Sequence, residues 1–231
     1  GTLGVMTEIT LKLYPLPVAQ LTAFAAVPSL DAAIALLGLA HQTLGASLTG
    51  FEVMGAFALD LVRKHFPKLQ MPLADAQAPY CVVLEVSDHE SETHARTLLE
   101  RLLGAAIEQG CVIDAVVAES LDQARALWRV RESIPLAQAQ EGLNIKHDIA
   151  IAVSNIPEFV RSTDALLAQQ FPGIRLVNYG HLGDGNLHYN VQAPEGADAE
   201  VFLQTQEAAV NNVVYSMVGQ FGGSISAEHG I

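Results

Sequence analysis

Basic residues are scarce in this chain: 12 Lys and Arg stand against 25 Asp and Glu, a formal charge of −13 with His neutral. An acidic excess of that size argues against nucleic acid and against anionic membrane surfaces as partners. No apolar run approaches the roughly 20 residues that span a bilayer, and no secretory signal pattern is visible. Cysteine is almost absent. Cys81, in Tyr80-Cys81-Val82-Val83-Leu84, and Cys111, in Cys111-Val112-Ile113, both sit in apolar, strand-like contexts. That favours buried free thiols over a disulfide and a reducing, cytoplasmic setting. An initiator Met is also lacking, since the chain opens at Gly1-Thr2-Leu3-Gly4, so a piece of a longer protein is expected.

What is present is apolar. Half of the 231 residues are hydrophobic, enough for a substantial core in one large domain or two small ones. Strand and helix signals alternate. Period-two patterning predicts strands over residues 5–14, 21–27, 48–54, 80–86, 111–117, 146–153 and 174–181. The first of these ends at Pro15 and Pro17. Helical spacing predicts helices over 30–44 with Ser29 as N-cap, 56–66 closed by Pro67, and 91–108 with Ser91 as N-cap and Gly110 at its end. It also predicts one long helix over 121–140, another over 156–170 capped by Asn155, and a last one over 199–221. A short extended segment, 224–227, follows Gly222-Gly223, and the Pro/Ala-rich 70–79 reads as a loop. The units recur every 30–40 residues or so without a shared residue signature, which sets a solenoid aside. The fold class expected is α+β: an antiparallel sheet with helices packed mainly on one face.

The chemistry concentrates in Asn178-Tyr179-Gly180-His181-Leu182-Gly183-Asp184-Gly185-Asn186-Leu187-His188-Tyr189-Asn190. Asp184-Gly185 signals a two-residue hairpin turn, because a type I′ turn needs φ > 0 at both central positions. That register sets His181 opposite His188, with Cβ atoms about 5 Å apart on one face, close enough to share an ion. Asn190, two residues beyond His188, projects on the same face. Surface or core-satisfied histidines remain the competing reading. Glu228 and His229, in Ser226-Ala227-Glu228-His229-Gly230, could add a carboxylate ligand and a general base; the plainer reading of His229 is a ring that supports a ligand from behind or caps a turn. For both to face one pocket, the chain must leave strand geometry there, which Gly230 permits. Arg125, Arg129 and Arg131 fall within seven positions, and Lys146 opens an apolar strand. In an acidic protein such a cluster suggests an anionic substrate, against the plainer reading of a solvated helix face with Arg131 and Glu132 paired. His41, His65, His89, His94 and His147 carry no assigned role.

The motifs Gly180-His181-Leu182-Gly183-Asp184-Gly185-Asn186-Leu187-His188 and Ser226-Ala227-Glu228-His229-Gly230-Ile231 resemble the C-terminal domain of FAD-linked oxidases of the vanillyl-alcohol-oxidase type. Members include D-2-hydroxyglutarate dehydrogenase, to which the motifs are most similar, D-lactate dehydrogenase and the glycolate oxidase flavin subunit. The opening Gly1-Thr2-Leu3-Gly4-Val5-Met6-Thr7-Glu8 is similar to the segment that closes the family's FAD domain. The resemblance implies residues 1–17 as that closing segment and 18–231 as a substrate domain truncated at its C-terminus. FAD would be bound by the missing domain, so the isolated chain is expected to bind none and to be inactive alone. The resemblance further implies His181, His188 and Glu228 as ligands of a divalent metal (Zn, Mn or Fe). It implies His229 as catalytic base, Arg131 and Lys146 as carboxylate-binding residues, and Asn190 as a substrate-orienting one. Pro135 stands where D-2-hydroxyglutarate dehydrogenase has a hydroxyl side chain against substrate, which bears on the diacid accepted.

The activity implied is oxidation of a D-2-hydroxy acid to a 2-oxo acid, with an electron acceptor as further partner. A metal-dependent hydrolase and a non-catalytic metal-binding domain are the rival readings. Glu228 lies close to the chain end, where residues fray unless tied down, so weak metal retention by this chain is expected.

Overall fold

The computed structural model describes residues 4–229. Gly1–Leu3, which begin the opening motif, and Gly230–Ile231, which end the closing one, lie outside the described residues. Eight strands form one sheet, and every pairing in it is antiparallel: β1 (Ala19–Val27), β2 (Leu48–Gly55), β3 (Tyr80–Asp88), β4 (Asp114–Val117), β5 (Asn144–Ile145), β6 (Asp148–Ala150), β7 (Arg175–His181) and β8 (Asn186–Gln192). The order is β4-β1-β3-β2-β7-β8-β5, with β6 also on β8. The α+β class with an antiparallel sheet is as expected.

Both faces are buried, which is why the inner strands read as near-continuous apolar runs. On β1, Ala23, Ala25 and Val27 join the larger apolar cluster while Phe24 and Ala26 join the smaller one. Four helices pack the larger cluster: α1 (Leu30–Leu44), α3 (Glu92–Glu108), α6 (Ile156–Gln170) and α7 (Ala199–Gln220). The other face is covered too, by α2 (Ala56–His65), α4 (Leu121–Glu132) and α5 (Ile134–Glu141). Ser29 and Ser91 cap as read, their hydroxyls accepting Ala32 N–H and His94 N–H at 3.1 Å each. Asn155 makes no side-chain cap bond; Pro157 in the first turn of α6 already lacks one of the N–H groups that a cap would satisfy. Cys81 and Cys111 are buried free thiols, as expected.

Three departures have physical causes. Residues 5–14 form no strand; within 4–17, side chains such as Met6, Leu11 and Leu16 are exposed and no neighbouring strand pairs with them. The long helix splits at Ser133, because Pro135 has no N–H and its ring clashes with the carbonyl four residues back, so it sits in the first turn of a new helix. The predicted 146–153 strand is instead β5 and β6, in one continuous register on β8: Ile145 faces Val191 and Asp148 faces His188. Between them the ladder is interrupted where Asn190 Oδ1 accepts His147 N–H at 3.1 Å.

A part-buried acid makes the fold pH-sensitive. Asp164 of α6 accepts hydrogen bonds from Tyr189 and Asn178, yet burial dominates and pushes its carboxyl up to about 6. A carboxyl raised in the folded state contributes stability that is full below the unfolded pKa, near 4, and is lost as pH rises through about 6. A displacement of that size corresponds to a stability change on the order of 3 kcal/mol. Asp164→Asn is therefore expected to gain stability relative to wild type as pH rises from 4 to 7. Denaturant midpoints across that range check it; parallel curves would show that Asp164 is not the group responsible.

Candidate active site

The β7–β8 hairpin places the two histidines together, by a route other than the one expected. Tyr179, not His181, lies opposite His188, and His181 lies opposite Glu52 of β2. The connection is not a two-residue turn: a 3₁₀ turn spans Leu182–Asp184, and only Gly185 adopts the left-handed conformation (φ 73°). A shift of two residues preserves the face, since side chains alternate with period two. The His181 and His188 rings therefore still meet on one face, with centroids 5.8 Å apart at 71°. Gly180 is required where the strands converge: with φ 155°, a Cβ there would lie 2.6 Å from Asn186 O.

Glu228 joins them from the C-terminal segment. Ser224 bridges to Ala150 through bonds of 2.8 and 2.9 Å, and Ala227 N–H donates to Asp148 O at 3.0 Å. Asp148 Oδ2 then accepts Glu228 N–H at 2.7 Å and His229 N–H at 2.9 Å, while Oδ1 accepts Asn186 Nδ2–H at 2.8 Å. Burial tends to raise the Asp148 pKa, but these donors outweigh it and hold the carboxyl below its ordinary value. The segment carrying Glu228 is thus tied down, which removes the reason to expect fraying there. Because it is a bend rather than a strand, Glu228 and His229 line the same cavity.

That cavity, about 390 Å³, is lined by Arg131, Lys146, His181, His188, Asn190, Glu228 and His229, while Arg125 and Arg129 of the basic cluster lie outside it, Arg125 exposed and paired with Asp122. Pro135 and Tyr179 are in its wall as well. Ligand atoms of His181, His188 and Glu228 lie within 4.8 Å of one another, with His181 Nε2 3.0 Å from Glu228 Oε1. Burial first, then the nearby Arg131 charge, pushes the His188 pKa down to about 4, so its ring is neutral at physiological pH. Two imidazoles and one carboxylate on an open cavity are a donor set that suits a divalent ion. Asp148, Glu228 and His229 form a second such group, but the Asp148 oxygens already accept three N–H donors.

Arg131 is not on a solvated face. Its Nε–H donates to Glu52 Oε2 at 2.8 Å and its guanidinium lies 4.8 Å from the Tyr179 ring centroid. Lys146 has no ion-pair partner among the described residues. Asn190 is 3% exposed and engaged at both ends, accepting from His147 N–H and donating to Gln138 Oε1 at 3.1 Å. It therefore braces the wall beside Lys146. Two residues escaped the sequence reading. Glu52 carried one signal, a lone charge inside the apolar run Phe51-Glu52-Val53-Met54; Asp148 carried a similar one ahead of Ile149-Ala150-Ile151.

Residues 16–231 match the family model described as FAD linked oxidases, C-terminal domain. The chain belongs to that family. A D-2-hydroxyglutarate dehydrogenase of Xanthomonas citri pv. viticola is 36% identical over 233 residues, covering 100% of this chain and 47% of that protein. The mitochondrial D-2-hydroxyglutarate dehydrogenase of Arabidopsis thaliana is 32% identical over 231 residues, covering 100% and 39%. The chain thus spans less than half the length of these curated relatives. Among solved structures, p-cresol methylhydroxylase with substrate bound is similar at a TM-score of 0.63 and 8% identity, covering 92% of this chain and 46% of that one. Alkyldihydroxyacetonephosphate synthase is similar at 0.56 and 10%, covering 91% and 41%. At such identities the likeness concerns the fold alone. No helix among the described residues is long and apolar enough to cross a membrane.

Proposed function

We propose that this FAD-linked oxidase C-terminal domain is the substrate half of a dehydrogenase that oxidises a D-2-hydroxy acid, D-2-hydroxyglutarate-like or D-lactate-like, to the 2-oxo acid. The observation that carries the reading is the convergence of a His181–His188–Glu228 donor set with the Arg131 and Lys146 cations on one cavity. In this reading, His181, His188 and Glu228 hold a divalent ion (Zn, Mn or Fe). When bound, that ion would supply Lewis acidity toward the substrate hydroxyl, and FAD held elsewhere in the protein would supply the hydride-accepting chemistry. Arg131 and Lys146 bind substrate carboxylate; the Arg131 Nη groups remain free for a bidentate grip once Nε is held by Glu52. His229 receives the hydroxyl proton on an imidazole nitrogen as the C2–H electron pair leaves. Asn190 orients substrate through the wall it braces, and Pro135 narrows which distal group fits.

Residues 1–17 are assigned to the flavin domain, with 18–231 as the substrate domain. The exposed apolar side chains of 5–16 support this, since such residues call for a covering surface. Two buried free thiols fit a reducing compartment, for which the cytoplasm is retained; the mitochondrial names of some relatives are equally compatible with them. An electron acceptor for reduced flavin completes the partners.

The test is anaerobic mixing of the complete, flavin-loaded protein with D-2-hydroxyglutarate or D-lactate. Bleaching of the oxidised flavin by a D but not an L enantiomer, lost after chelation and restored by added divalent ion, is expected. A flavin that no 2-hydroxy acid reduces would overturn the assignment, and ester or amide hydrolysis in its place would favour metal-bound water chemistry.

A further inference from the structure

Behind the cavity wall, against His181 and Arg131, lies a buried carboxylate to which neither the motifs nor the roles above assign a task. Glu52 lies within β2 and is 5% exposed. An ionised carboxylate so placed is costly unless both oxygens are paired. Its two oxygens face two different parts of the site. Oε2 accepts Arg131 Nε–H at 2.8 Å, and Oε1 meets His181 Nδ1. Backbone register enforces the second contact, because the β2–β7 ladder sets Glu52 directly opposite His181. Arg131 reaches the first from α4, 79 residues away in sequence.

We propose that Glu52 is the positioning residue that couples the metal-ligand set to the carboxylate-binding arm. The inference rests on the functional reading above and extends it to a strand outside the motifs. A neutral imidazole carries one N–H. Donated from Nδ1 to Glu52, it leaves the Nε2 lone pair turned toward Glu228, where an ion is to be held. The carboxylate also makes the imidazole a stronger donor. On the other side it occupies only the Nε–H of Arg131, so both Nη groups remain available while the guanidinium plane is fixed against Tyr179. One side chain therefore sets the direction of a ligand and of a substrate clamp together. A residue that merely neutralised Arg131 would have no effect on metal affinity.

The experiment measures Zn²⁺ affinity of metal-stripped protein by competition with a chromophoric chelator, for wild type, Glu52→Gln, Arg131→Met and the double variant. Glu52→Gln has one acceptor oxygen where two are needed, and is expected to weaken Zn²⁺ binding roughly 10–100-fold, the usual cost of losing a ligand's outer partner. Arg131→Met is expected to leave Zn²⁺ affinity unchanged while raising KM for the hydroxy acid in the complete protein. The double variant removes both buried charges and so guards against misfolding of the single one. It is expected to bind Zn²⁺ as weakly as Glu52→Gln. Wild-type Zn²⁺ affinity in Glu52→Gln or in the double variant would overturn the role of Glu52 and leave the His181–His188–Glu228 reading standing. Equal weakening in Arg131→Met would make Glu52 a plain counter-ion. Failure of the wild type to bind Zn²⁺ would remove the metal reading, and this inference with it.

Discussion

Glu228→Ala in the complete, flavin-loaded protein is expected to strip the divalent ion and lower turnover roughly 10³-fold or more, with flavin still bound. Lewis-acid assistance is worth several kcal/mol, and each 1.36 kcal/mol is a factor of ten. Glu228 supplies the only carboxylate in a donor set whose other members are imidazoles. His188, pushed down to about 4, brings no negative charge and no proton to displace at physiological pH. Removing Glu228 therefore removes the anionic part of the attraction. Its side chain is 44% exposed and, among the described residues, meets only the His181 ring at 3.0 Å and the His229 ring at 3.9 Å, so folding should be spared. Elemental analysis, flavin absorbance and turnover measured on one preparation check the three parts separately. Full metal content with normal turnover would exclude Glu228 as a ligand.

The acid side of the pH profile follows from the same ligands. His188 titrates low because burial and the Arg131 charge oppose its protonation. A competing proton therefore enters this ligand only near pH 4, well below the ordinary histidine range. Burial pushes the Tyr179 hydroxyl up, partly countered by Arg131, so it remains neutral as the surface on which the guanidinium rests.

The sequence was most legible where one local rule acted alone. Ser29 and Ser91 announce helix starts because an N-cap needs only its own next turn. The meeting of His181 and His188 on one face survived a wrong turn type and a wrong register, because a two-residue slip returns every side chain to its face. Legibility failed where long-range partners decide. No local signal says that residues 5–14, with fair strand periodicity, find no strand to pair with among the described residues. Arg131 reads as a solvated helix residue until the fold brings Glu52 beneath it. Asn190 reads as a free amide until His147 N–H and Gln138 claim it. The predicted 146–153 strand is broken at Lys146 and His147 instead, an interruption that depends on that same Asn190 side chain. Pro135 alone could have announced the break between α4 and α5, since a proline inside a helical pattern ends or kinks it.

Asp148→Ala is expected to be nearly as damaging as loss of a ligand, although Asp148 need not touch the substrate. Its carboxylate is the latch on the segment that carries Glu228 and His229, accepting both of their backbone N–H groups and the Asn186 amide. Hydrogen bonds to a charged acceptor contribute about 1.5–3 kcal/mol each. Losing two from one short segment corresponds to roughly 10²–10⁴ in the population of the docked geometry. The Ala150–Ser224 bridge and the bond from Ala227 N–H to Asp148 O use backbone groups and remain, so the segment should stay attached through residue 227 and open beyond it. Two readouts distinguish this from damage to a ligand. Amide exchange at 228 and 229 should accelerate while exchange in β7 and β8 stays slow. Saturating metal should restore occupancy by mass action through His181 and His188, yet turnover should stay low, because His229 is released by the same substitution. Asp148→Asn, which keeps one acceptor oxygen, should fall between wild type and Asp148→Ala. Unchanged exchange at 228 and 229 in Asp148→Ala would show that the segment is held without this carboxylate. Full rescue of turnover by metal would show that Asp148 serves the ligand alone and not the base.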